Sequence, residues 1–472
     1  KQPYYIGQYM LAILISALFH LPIASVDAGL VPIFAGILFP AMAFFAFVQK
    51  QYAAKLLPAL LLMFFIPLNF FTATTPNNLA LLYAALCIFW MWYETEYGTI
   101  QTHIFGLLLA GAALAVHPFI GVPLVIAYLG FLAIQAQRSK PLGVAIAVAV
   151  FLCMVFALPA LFFVNAERSG DALALQSPIA TIGQFLTLFK RPFWEWIDKA
   201  PIPPLQWKML YWYKSAIKPI AVLAAIAGFF LLQKKYKEQR AWYFLLCAGA
   251  LFVSSFLLAT TIKFPNVITY EQGVYADRLL EFSLIFLVPF FLIATNELFK
   301  KIEAQKRSVP LISMLFAAIL LISWYFTYPT RDPVSRYTGF NVRDADIEAV
   351  HFIDEHNQGE KNYIVLTNQA VAAAALKEFG FAKYHETPSG EHYFYSIPTG
   401  GPLYQFFRNM VYDSPKKEWM LRAMNFAGVP RAYFIHTNYW APAGEIRDKA
   451  KIEAAAWWEL GGGRVWVYEY IR

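Results

Sequence analysis

Charged side chains are scarce in this chain: Asp, Glu, Lys and Arg supply 14% of 472 residues, while 59% are hydrophobic and 18% aromatic. Soluble globular domains carry about 25% charge, so that class is excluded. The mean hydropathy of +0.48 instead reads as a polytopic membrane protein. Cysteine is also sparse. Cys87, Cys153 and Cys247 fall inside apolar runs, where a small buried thiol is an ordinary packing residue, so no disulfide framework or cysteine metal cluster is indicated. Internal repeats and low-complexity tracts are missing, and the net charge of +8 is spread over short loops rather than gathered into a nucleic-acid patch. No initiator Met or signal peptide precedes Lys1, and the chain opens directly on PYYIGQYMLAILISALFHLPI. Further sequence is therefore expected upstream.

What is present is a series of apolar runs near residues 29–48, 55–72, 78–93, 100–117, 118–136, 142–164, 216–233, 241–262, 279–299 and 309–328. Most approach the ~20 residues a helix needs to cross the hydrocarbon core, giving about 10 to 11 transmembrane helices. Lys50 and Lys55, Arg138 and Lys140, Lys234, Lys235, Lys237 and Arg240, and Lys300, Lys301, Lys306 and Arg307 fall in alternate loops. Those loops are assigned to the cytoplasm. The loop YETEYGT is acidic where the rule asks for basic residues and adds nothing to the assignment.

The segments 165–215, 263–278 and 329–472 then share the outer side. In the first, Trp194, Trp196, Trp207 and Trp212 interleave with Lys190, Arg191, Lys199 and Lys208. Such an amphipathic aromatic loop lies in the membrane interface, either as a packed lid or with Lys190 and Arg191 on a lipid phosphate. Beyond Pro329 the charge returns. NYIVLT, RAYFIHT and RVWVYEYI read as strands; DADIEAVHFIDEH, NQAVAAAALKEFG and GEIRDKAKIEAAAWWELGG read as helices. Residues 1–328 are thus expected to form a transmembrane domain and 329–472 a soluble, extracytoplasmic α/β domain with a partly parallel sheet.

One polar stretch interrupts the apolar pattern. TYEQGVYADRLLEF sets Glu271, Asp277, Arg278 and Glu281 at the start of a membrane helix. A guanidinium there suits a phosphate, because its planar fork makes two parallel charge-assisted hydrogen bonds. The alternative is that Asp277 or Glu281 neutralises Arg278 while it anchors the helix.

Four landmarks resemble the GT-C superfamily, polytopic glycosyltransferases that take sugars from polyprenyl-phosphate donors. They are PYYIGQYMLAILISALFHLPIASVDAGLVPIFAGILFPAMAFFAFV, similar to the segment after the first outer loop; AVHPFIGVPLVI, similar to a His-Pro turn between membrane helices; VYADRLLEF, similar to a Tyr-x-x-Arg helix start; and DADIEAVHFIDEHNQGEKNYIVLT, similar to the opening of the soluble domain. The resemblance implies a GT-C-like fold, residues 1–28 as a juxtamembrane part of an outer loop, and an inverting transfer from a polyprenyl-phosphate-sugar donor to an unidentified acceptor at the bilayer. It also implies a catalytic acid upstream of Lys1. Arg278 becomes the main donor-phosphate ligand, with Tyr275, Lys190, Arg191 and His117 beside it. His117 could equally satisfy a free carbonyl at the helix break. Asp27, in SVDAG, is the carboxylate available as base, or the N-cap of the following helix. Glu271 and Asp277 are candidates for the acceptor or a divalent metal ion. The rival class is a transporter or flippase, or a polymerase or ligase, of lipid-linked glycans. In AAAWWELGG, Glu459 and Leu460 depart from the Trp-Trp-Asp-Tyr-Gly motif of oligosaccharyltransferases, so it reads as helix packing with a Gly stop.

Overall fold

The computed structural model describes residues 6–48, 56–65, 69–137, 139–169, 173–187, 204–236, 239–264, 273–304, 309–327, 342–360, 362–380, 384–387, 390–395, 402–438 and 443–472. The chain divides into two compact units, Lys1–Pro265 with Gln272–Thr330, and Asn266–Glu271 with Arg331–Arg472.

The first unit is helical: α1 (Ile6–Phe19), α2 (Ile23–Val48), α3 (Leu56–Phe65), α4 (Pro76–Tyr97), α5 (Ile100–Val116), α6 (Pro118–Ala136), α7 (Lys140–Ser169), α8 (Pro178–Thr187), α9 (Leu205–Tyr236), α10 (Trp242–Thr261), α11 (Val274–Ala304) and α12 (Val309–Thr327), with a two-stranded ladder of β1 (Ala174–Leu175) and β2 (Ile262–Lys263). Six of these helices, α2, α6, α7, α9, α10 and α11, are long and apolar enough to cross a membrane. This is an integral membrane protein. Helix α1 ends at Phe19, and His20 after it, with φ 53°, turns the chain into α2. The outer loop read as 165–215 is shorter than expected, since α7 continues to Ser169 and α9 already begins at Leu205. Trp207 therefore sits on α9, with its ring 6.3 Å from that of Tyr325 on α12. Trp194 and Trp196 lie outside the described residues.

Local chemistry sets the helix ends. The Thr75 side chain accepts from Asn78 N at the start of α4, and Thr99 and Thr102 form a reciprocal capping box at the start of α5. Between α5 and α6 the cause is Pro118, which has no N–H and drives the preceding residue out of helical geometry. His117 accordingly has φ −152° and ψ 102°, and Pro118 opens α6. The two helices then fold back tightly. A Cβ on Gly121 would lie 2.1 Å from Leu114 Cα, so only glycine permits the approach.

The second unit contains α13 (Asp344–His356), β3 (Tyr363–Leu366), α14 (Gln369–Phe379), β4 (Tyr384–Thr387), β5 (Gly390–Tyr393), α15 (Pro402–Arg408), α16 (Lys417–Ala427), β6 (Arg431–Thr437), α17 (Ala443–Glu453), β7 (Ala456–Leu460) and β8 (Val465–Ile471). Four strands form a sheet in the order β3-β6-β8-β7. β3 and β6 are parallel, and β8 runs antiparallel to both β6 and β7. Alternation along the strands creates two cores. Tyr363, Val365, Tyr433 and Ile435 pack under α13 and α14, whereas Ile364, Leu366, Ala432 and Phe434 pack under α15, α16 and α17. The β4–β5 hairpin, absent from the sequence reading, pairs separately.

The AAAWWELGG segment is not helical, contrary to expectation. Helix α17 stops at Glu453, and Ala456–Leu460 is an edge strand paired with β8. Three consecutive glycines with positive φ, Gly461, Gly462 and Gly463, make the hairpin turn. Trp458 then packs 5.0 Å from Phe352 and 4.8 Å from His356, and Glu459 accepts from Trp466 Nε1. Cross-strand pairing and aromatic burial override the helical preference of the alanines.

Candidate functional site

The structure brings together several predicted site residues at one end of the helical unit. His117 sits in the α5–α6 turn, outside both helices; its backbone N–H donates to Ala113 O at 2.9 Å. Phe119 follows two residues later, its ring 6.1 Å from the imidazole and 6.0 Å from Tyr275 on the first turn of α11. Tyr275 also packs 4.8 Å from Phe162 on α7 and 5.0 Å from Phe264 beside β2. An aromatic ledge drawn from four parts of the chain thus stands next to Arg278, one turn further along α11.

The charge arrangement around Arg278 is specific. It is half-buried, and among the described residues no carboxylate lies within ion-pair distance of it. Glu281 is instead engaged by Lys218 of α9, Nζ to Oε1 3.3 Å. Asp277 is exposed, and its backbone N–H donates to Gly273 O. The neutralised-anchor reading of Arg278 thus finds no carboxylate partner among these residues. Its charge reaches His117: burial, and after it the Arg278 guanidinium, hold that imidazole below its ordinary range. The result is a neutral ring beside a cation.

Asp27 is not the N-cap expected for it. Helix α2 begins at Ile23, which places Asp27 in its second turn. Its Oδ1 accepts from Gln8 Nε2 of α1 at 2.9 Å. Helix α1 is in turn pressed on the C-terminal end of α5, where a Cβ on Gly7 would meet Ala115 O at 2.7 Å. That contact lies two residues before His117, so Asp27 belongs to the same end of the bundle. Lys190, Arg191 and Glu271 lie outside the described residues. Among the described residues no group of three His, Cys, Asp or Glu side chains is placed to hold a metal ion.

A second polar cluster was missed by sequence reasoning. The Glu94 side chain, on α4, is fully buried, 2.9 Å from His103 Nδ1 of α5, and accepts from Tyr128 OH of α6 at 2.8 Å. Gln135 donates to Glu94 O, and Arg240 to Thr95 O at 2.7 Å. Gly106 makes room for the phenol, since a Cβ there would stand 2.1 Å from Tyr128 OH. The acidic stretch read as a loop is instead the end of α4, which runs to Tyr97, and it turns one carboxylate inward. The available signal was a Glu at the end of an apolar run with a His nine residues on, but only packing of three helices shows that they meet.

No family model and no curated protein matches the chain.

Proposed function

We propose that the chain is a membrane glycosyltransferase of GT-C type, which transfers a sugar from a polyprenyl-phosphate donor to an acceptor at the outer face of the cell membrane. The observation that carries this reading is the half-buried Arg278 with no carboxylate partner among the described residues, beside an aromatic ledge at the end of a membrane bundle. The donor phosphate would accept from the guanidinium fork, with the isoprenoid chain in the bilayer at this end of the bundle. In the reaction the acceptor oxygen bonds to the sugar C1 as the C1–O bond to phosphate breaks. The electron pair leaves on the polyprenyl phosphate, where Arg278 stabilises the growing charge, and the acceptor proton passes to a carboxylate. Asp27, oriented by Gln8, is the described candidate for that base. His117 and Tyr275 line the donor side.

In this reading the ten helices α2–α7 and α9–α12 cross the bilayer, and the soluble second unit lies outside the cell. The transporter reading draws on a different observation, the buried Glu94 and Tyr128 with the partly buried His103, because ionisable groups inside a membrane bundle often mark transport pathways. One assay separates the two. The full-length protein in sealed vesicles, given a labelled polyprenyl-phosphate-linked sugar on the outer-face side, should release free polyprenyl phosphate and form a glycosylated product. Movement of intact lipid-linked sugar between leaflets, with no polyprenyl phosphate released, would establish the transporter instead.

A further inference from the structure

We infer that the second unit carries its own binding site, at the carboxyl edge of the parallel strands β3 and β6, for a small hydroxylated oxyanion. Open α/β sheets bind ligands outside the carboxyl ends of strands where successive connections leave toward opposite faces. β3 and β6 meet that condition. The helix after β3, α14, packs in the core with α13 through Val371, Ala372 and Ala375. The helix after β6, α17, packs in the opposite core through Ile446 and Ala450. The two connections therefore part at the carboxyl ends of adjacent parallel strands.

The side chains at this edge are polar. Asn368 Nδ2 donates to Thr437 Oγ1 at 3.0 Å, drawing the two strand ends together, while Asn368 Oδ1 caps α14 by accepting from Val371 N. Asn368 O accepts from Ala372 N. Among the described residues the N–H groups of Gln369 and Ala370 therefore remain as the open donors of the 11-residue helix, at its positive end. Arg343 extends over the same edge, with its NH1 donating to Asn438 Oδ1 at 3.0 Å. Cationic and N–H donors at this edge select an oxyanion.

Two buried polar atoms provide independent support. Thr367, the last residue before the α14 cap, is 1% exposed and its Oγ1 has no partner among the described residues. His436, on the α17 side, is also 1% exposed; its Nε2 donates to Ala443 O at 3.3 Å, and its Nδ1 has no described partner. Burial, with a smaller effect from Arg447, lowers this imidazole to about 4, so near neutral pH it is uncharged and Nδ1 is an acceptor. An unsatisfied buried group costs stability and calls for a partner. Each helix that leaves this edge begins beside one such group. The hydroxyl of Thr367 can complete the oxyanion contacts, and His436 Nδ1 can accept from a ligand hydroxyl.

The test uses the full chain in nanodiscs, with hydrogen exchange followed in residues 362–376 and 431–438. The probes are glycerol phosphate, glucuronate and inorganic phosphate. Saturable protection by glycerol phosphate or glucuronate is expected, and the stronger of the two assigns phosphate or carboxylate chemistry. Inorganic phosphate should protect at least about tenfold less well, since it carries no ligand hydroxyl for His436. Thr367→Val removes the orphan hydroxyl at nearly constant shape. It should leave exchange without ligand unchanged or slower, yet weaken the ligand-dependent protection by about tenfold, and Arg343→Gln should do the same to the protection. A purely structural threonine would not separate these effects. Absence of protection by either hydroxylated probe, equal protection by inorganic phosphate, or protection unchanged in both variants would overturn the assignment.

Discussion

Replacing Arg278 by Ala is expected to reduce sugar transfer by the full-length protein by about 10²- to 10³-fold, the usual loss when one donor to a developing anion is removed. Arg278→Lys should keep part of the activity, because the charge remains while the planar fork is lost. The phosphate gains charge as it leaves, so the loss should fall mainly on kcat rather than KM. Folding is not expected to suffer, since Arg278 has no ion-pair partner among the described residues whose charge would be stranded. Lys218→Met gives the contrast. It breaks the 3.3 Å pair with Glu281, a partly exposed interaction worth about 1 kcal/mol or less. Transfer at the wild-type rate by Arg278→Ala, with normal protein level, would remove the phosphate role.

The largest expected structural effect is at Gly228. Helix α9 crosses α11 so closely there that a Cβ would stand 1.9 Å from Phe290 O and 2.7 Å from Phe290 C. Both contacts are backbone, which cannot rotate away. Phe290 also meets two rings edge-on, 5.5 Å from Phe229 and 5.7 Å from Trp92, whose ring stacks 5.9 Å from that of Phe47. Separating α9 from α11 would therefore disturb α2 and α4 as well. Close helix approach through small residues is a main source of packing energy inside a bilayer. Gly228→Leu should cost more than about 3 kcal/mol, beyond the ordinary overpacking range. It should appear as loss of monodisperse protein in detergent and a large fall in Tm. Gly249, on α10, has nothing within 4 Å of its Cβ position. Gly249→Ala should leave Tm unchanged or slightly raised, and equal behaviour of the two variants would show that the α9–α11 contact is not tight.

How far the sequence could be read followed the range of the interactions involved. Each apolar run contains a helix among the described residues, because hydrophobicity of this extent is a local property, although in the run 55–72 that helix covers only Leu56–Phe65. Yet α4 is not among the six helices of sufficient length and hydropathy. It carries Glu94 and Thr95 inside the bundle, and their partners come from α5, α6 and the segment before α10. The His117-Pro118 break was legible because proline acts on its immediate neighbour. Asp27 was misread because a short polar residue near a Gly resembles a cap, while its actual partner, Gln8, lies on the preceding helix. The alanines before Trp457 suggested a helix until β8 supplied a pairing partner. At the candidate site Tyr275 and Arg278 were readable as one motif, but their approach to His117, Phe119 and Phe162 depends on α5, α6, α7 and α11 packing together.

The most direct measurement of the central claim is where a donor lipid binds. A polyprenyl phosphate with a photoactivatable group next to the phosphate should crosslink, in wild-type protein reconstituted into a bilayer, to peptides containing His117–Phe119 and Tyr275–Arg278. Arg278→Ala should abolish those crosslinks without changing labelling of the rest of the apolar belt. Crosslinks spread evenly over the lipid-facing helices, and unchanged by Arg278→Ala, would contradict a phosphate site at this end of the bundle.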